Sequence, residues 1–136
     1  MSYYEKFVAG WVPENVDLEG DWAVHGLYGP LPLRLFGHKK CFKKVHDDEY
    51  QGANQFLGKF SFGHFDVSVG KSQLEPEMEV ININYDVKAT PAIIRGLTDE
   101  VRFVSDNKML GRGVYAPAAL GRIGPKNIFW FTVTKL

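Results

Sequence analysis

His64-Phe65-Asp66 sets an imidazole and a carboxylate two residues apart. In an extended strand, residues i and i+2 leave on the same face. A histidine titrates near neutral pH, and a carboxylate beside it suits general acid–base work. His64 and Asp66 are therefore the first catalytic candidates. The plainer alternative is a pair on the outer wall beside a bulge, or a histidine satisfied by a backbone carbonyl. Arg102 and Arg112 lie on neighbouring strands across the Asp106-Asn107 turn. Pointing inward, either would bind a carboxylate or stabilise an oxyanion through paired guanidinium bonds. A structural arginine packed over a ring such as Trp22 is the competing reading.

Asn82, Asn84 and Asp86 alternate with Ile81, Ile83 and Tyr85. The alternation parts a polar row from an apolar one and leaves open which row faces inward. Inward amides would bind a carbonyl or hydroxyl; outward ones would be solvated. His25, His38, His46 and His64 share no ligand spacing, and Cys41 is the sole cysteine. No metal site follows from that pattern, and no disulfide can form within the chain. Phosphate loops, dinucleotide fingerprints and Gly-x-Ser-x-Gly elbows do not occur. No cofactor is expected.

The elements that must position these residues are mostly short strands. Tyr3, Tyr4, Phe7, Val8 and Trp11 fall at helical spacing. They predict a helix over 3–10, stopped before Pro13 and suited to lid one end of a barrel. Strands are expected over 20–28, 39–45, 50–54, 56–69, 78–87, 101–104, 110–115 and 128–134. Lysines on both faces of 39–45 suggest an edge strand or a barrel mouth. The apolar load of 56–69 changes face near Gly63, which predicts a β-bulge. Short turns of helix are expected at 33–36 and 90–96, a Pro/Gly-rich loop at 116–126, and a hairpin turn at Ser105–Lys108. About eight strands with short connections make an antiparallel up-and-down barrel, wide enough for one small ligand, the leading fold. A two-sheet sandwich is the alternative.

Composition bounds the rest. The 136 residues suit a single domain spanning 1–136, and 45% hydrophobic content is enough for one core. Lys plus Arg equals Asp plus Glu at 16 each, so nothing draws the chain toward nucleic acid or an anionic membrane. The first residues lack the basic start and apolar run of a secretory signal. No run approaches the ~20 apolar residues of a membrane helix. A cytoplasmic setting is expected.

Gly20-Asp21-Trp22 before the first strand is the commonest mark of the calycin, or lipocalin-like, barrels, and the chain resembles them. It is most similar to an uncharacterised family named for a Gly-x-Trp-x-Gly motif. The matching pieces run in order through Leu35–Phe42, Ile83-Asn84-Tyr85-Asp86, Pro91–Ile94, Asp106–Gly111 and Phe129–Val133, about three quarters of the chain. Val24 stands where the motif has its second glycine. The resemblance implies the barrel fold and carries no reaction with it.

These readings converge on a cytoplasmic barrel holding a small hydrophobic or aromatic molecule. Trp22 would close the floor. Phe60, Phe62, Tyr85, Tyr115 and Trp130 would supply apolar wall, with Asn82 and Asn84 orienting the ligand. The alternative is a cofactor-independent isomerase, cyclase or lyase in the same cavity. There His64 and Asp66 would move the proton, and Arg102 or Arg112 would hold an oxyanion. A homodimer through exposed aromatic edges is a third reading.

Overall fold

Gly20 opens the first strand, β1 (Gly20–Tyr28), at φ 115°, a left-handed conformation that a side chain resists. There the chain turns from an irregular approach segment into the sheet. This computed structural model describes residues 2–28, 38–46, 49–56, 60–85, 96–115 and 126–136, with the side chains at 38, 56 and 60–63 outside the description. The further strands are β2 (His38–His46), β3 (Glu49–Phe56), β4 (Phe60–Lys71), β5 (Glu79–Asn84), β6 (Leu97–Ser105), β7 (Lys108–Tyr115) and β8 (Lys126–Lys135). Each pairs antiparallel with the next, and β8 returns to β1. The result is a closed eight-stranded barrel. Closure removes every sheet edge.

Several element boundaries move. Phe56 ends β3 and pairs with Phe60 at the start of β4, so the single long strand signal spans two strands. The bulge expected near Gly63 is present: Gly52 pairs with Phe65 but Asn54 with Phe62, a register shift across Gly63 and His64. β6 begins at Leu97 rather than Val101, because Asp99 and Glu100 are strand residues buried on opposite faces. β2 is no edge strand; it is bonded to β1 and β3 on its two sides. The helical turn expected at 33–36 lies outside the described residues. So do 90–95 of the turn at 90–96 and 116–125 of the loop at 116–126.

One end of the barrel is sealed by the approach segment. Trp11 bridges to Phe103, and Val16 and Leu18 are buried with Trp22, Tyr50 and Phe103 in the core cluster. The Trp22 indole Nε1 donates to Leu18 O at 2.9 Å, and the Tyr50 hydroxyl donates to Val16 O at 2.9 Å. Two buried polar tips are thus satisfied by the backbone of the plug itself. Above the plug, Phe42, Phe65, Ile81, Ile83, Val101, Phe131 and Val133 fill the lumen. Gly111 and Gly113 admit the last strand's aromatics. A Cβ on Gly111 would stand 2.3 Å from the Phe131 ring, and one on Gly113 2.2 Å from the Phe129 ring.

The helix, α1 (Tyr3–Ala9), does not lid the barrel. It starts in a capping box between Ser2 and Glu5 and lies on the outer wall. Its one buried residue, Phe7, packs against the outward-facing Val80, Leu110 and Trp130. Only the phase of the strands decides this: those three alternate with inward residues, so the wall carries an apolar patch that needs cover.

Candidate functional site

The inward faces follow from alternation once the barrel closes. Trp22 and Val24 point in from β1, Lys40 and Phe42 from β2, Tyr50 and Asn54 from β3, Ile81 and Ile83 from β5. Asp99, Val101 and Phe103 point in from β6. Lys40 and Asp99 are phase-mates of apolar core residues, yet each is only 2% exposed.

Lys40 and Asp99 meet across the lumen. β2 and β6 stand four strands apart in an eight-strand ring, so they face each other. The Lys40 ammonium lies 3.2 Å from Asp99 Oδ2. It also donates to Asn54 Oδ1 at 2.7 Å and to the Tyr85 hydroxyl oxygen at 2.5 Å. Tyr85 donates in turn to Asp99 Oδ2 at 3.1 Å, and Asn54 Nδ2 donates to Tyr85 Oη at 3.1 Å. The rings of Phe65 and Tyr85 are 5.2 Å from the ammonium and that of Phe131 is 5.8 Å away, within cation–π range.

This tetrad is electrostatically tense. Burial pulls Lys40 below the usual lysine range, and the Asp99 charge pulls it back up. Burial raises Asp99 above the usual carboxyl range, against the opposing pull of Lys40. Burial and the Asp99 charge raise Tyr85 well above an ordinary phenol, so it stays a neutral donor. The aromatic cage and the three acceptors around the ammonium favour the ion pair. Apolar side chains of equal volume would fill the space at lower cost in charge burial.

One valence in the tetrad stays open. Asp99 Oδ1 is buried and accepts no hydrogen bond among the described residues. One inward step above it, Leu97 pairs with Tyr115, and both are partly exposed. The tetrad therefore lies beneath the end of the barrel opposite the plug.

The residues singled out from sequence separate. Trp22 is buried in the closed half against Phe42 and Phe103. Tyr85 joins the tetrad, and Tyr115 stands at the mouth. The side chains of Phe60 and Phe62 lie outside the description. His64 and Asp66 are exposed on the outer wall, because the bulge puts Phe65 and Val67 inside. An interior acid–base role for that pair is corrected accordingly. Asn82 is half-buried and Asn84 exposed, both opposite in phase to the buried Ile81 and Ile83. Neither lines the lumen. Trp130 also faces out, beneath Tyr3 and Phe7 of α1.

Both arginines face outward as well. Arg102 donates to the carbonyls of Phe7 and Val8 at 3.0 and 2.9 Å, holding the C-terminal turn of α1. Arg112 is 2% exposed under the Phe7 ring, 4.5 Å from its centroid. It bonds Glu100 at 3.1 Å, Ser72 at 3.0 Å and Glu75 at 2.7 Å. This cluster latches the wall to α1 and to the segment after β4; it does not touch the lumen.

Lys40, Asn54 and Asp99 were not among the residues that sequence reasoning singled out. A signal exists in retrospect: Lys40 is in phase with Phe42, and Asp99 with Val101 and Phe103. Among the described residues, no three of His, Cys, Asp and Glu converge as a metal site would need. No helix among the described residues is long and apolar enough to cross a membrane. Comparison with known proteins returns no matching family model, no matching curated protein and no matching solved structure.

Proposed function

We propose that this lipocalin-like barrel binds a small, mainly apolar molecule through the end opposite its plug. The ligand's polar end would meet the Lys40–Asn54–Tyr85–Asp99 tetrad. The observation that carries the reading is the trans-lumen ion pair itself, with one carboxylate oxygen left without a partner among the described residues. A purely structural core would favour apolar filling here, and an unpaired buried acceptor costs ~1–3 kcal/mol unless something satisfies it. The aromatic walls provided by Phe65, Tyr85 and Phe131 suit a flat or hydrophobic body. The test is native mass spectrometry of the protein as isolated, alongside quenching of tryptophan fluorescence by naphthalene-sized probes. An adduct released on denaturation, or saturable quenching, supports the reading. Protein that is adduct-free and unresponsive to every such probe overturns it.

A second reading has one observation in its favour. Asp99 combines a raised carboxyl pKa with an open oxygen, the properties of a general base. A cofactor-independent isomerase, cyclase or lyase in the same cavity would then use Asp99 as its base, where sequence reasoning had cast His64. Deuterium uptake from solvent into a recovered ligand tests it. A ligand that exchanges no carbon-bound hydrogen leaves binding as the function.

A further inference from the structure

The hydrogen-bond count within the tetrad limits what kind of ligand it can accept. A lysine ammonium has three N–H donors. All three are engaged, by Asn54 Oδ1, Tyr85 Oη and Asp99 Oδ2. The Tyr85 hydroxyl gives its one proton to Asp99 Oδ2 and accepts from both Lys40 and Asn54. It has nothing left to donate. Asp99 Oδ2 already accepts twice, while Oδ1 accepts nothing from the described residues.

We infer that the molecule bound above the tetrad presents a neutral hydrogen-bond donor, a hydroxyl or an N–H, to Asp99 Oδ1. The inference rests on the binding reading above and names its ligand class. A ligand carbonyl, ether or carboxylate would find only lone pairs at that position. A carboxylate would also meet the Asp99 charge in a buried site, where like charges repel strongly. An added cation would sit against Lys40, whose charge already balances Asp99. Only a neutral donor completes the network without breaking an existing bond. Arginines pointing inward would have selected anions; the outward placement of Arg102 and Arg112 removes that preference.

The experiment compares three probes of similar body: 2-naphthol, 2-methoxynaphthalene and 2-naphthoate. Their binding to the full chain is followed by tryptophan quenching and calorimetry at neutral pH. The naphthol should bind about tenfold or more tighter than its methyl ether, the scale of one hydrogen bond to a charged acceptor. The naphthoate should bind weakest. Asp99→Asn should undo the order: Lys40 and Tyr85 would hold the amide oxygen, turning its NH2 to the open position and favouring the ether. If that variant does not fold, the comparison within the unaltered protein still decides. Equal binding of naphthol and ether overturns the inference while leaving a binding cavity in place. Tighter binding of naphthoate overturns it too. Failure of all three to bind removes the binding reading itself.

Discussion

Lys40 and Asp99 stand on strands that face each other across the barrel, and their charged groups meet at 3.2 Å in the lumen. The pair ties opposite walls together without any backbone hydrogen bond between them. Its energetic character sets the first expectation.

Lys40→Met leaves Asp99 buried without its cation, and Asp99→Leu leaves Lys40 without its anion. Each single change should destabilise the fold by about 3–5 kcal/mol. The double variant should recover most of that loss, since two apolar side chains in place of a buried pair are often neutral or better. Urea unfolding of the four proteins in the cycle measures the coupling. Additive single effects would show that the two charges do not compensate one another.

Gly111 and Gly113 act through space rather than through backbone freedom. Alanine at either would drive a methyl into the ring of Phe131 or Phe129. A loss of about 1–3 kcal/mol is expected for each. Gly111→Ala combined with Phe131→Leu should regain part of it. Thermal unfolding checks both steps.

Helix α1 should loosen in acid. Burial alone would raise Glu75, but the hydrogen bonds from Arg112 and Tyr4 outweigh it and hold its carboxyl below the usual range. A carboxyl lowered by folding contributes stability above its unfolded pKa, about 4.3, and loses it as the pH falls through the lower folded value. The latch that Glu75 completes with Arg112, Glu100 and Ser72 should therefore open as the pH falls through that lowered folded value. Trp130 packs against Tyr3 and Phe7, so its fluorescence reports the release. Glu75→Gln should flatten that acid response.

Cys41 should be a sluggish thiol. Burial first, and then the neighbouring Asp21 carboxylate, push it up to about 11 from 9.0. Two pH units mean about 100-fold less thiolate at neutral pH than in an ordinary cysteine, and alkylation proceeds through the thiolate. Iodoacetamide labelling at pH 8 should be correspondingly slow, and Asp21→Asn should speed it. Labelling at the rate of free cysteine would contradict this environment.

Much of the architecture was legible in the residues themselves. The strand count, the hairpin at Asp106-Asn107 and the bulge at Gly63 are local events. Period-two alternation and turn chemistry act over a few residues, so their signals lie close together in the chain. Alternation also separated Ile81 and Ile83 from Asn82 and Asn84. It could not say which row faced inward, because a strand's two faces are equivalent until the sheet curls and closes. Closure chose the apolar row. The same event put His64, Asp66, Arg102, Arg112 and Trp130 on the outside, and gave the outer wall an apolar patch for α1 to cover. The tetrad needed still more. Lys40 reads as one of several lysines in 39–45, and Asp99 falls before the strand expected at 101–104, since nothing local tells a solvated charge from a buried one. Only a barrel that sets β2 opposite β6 turns each into the other's counter-ion.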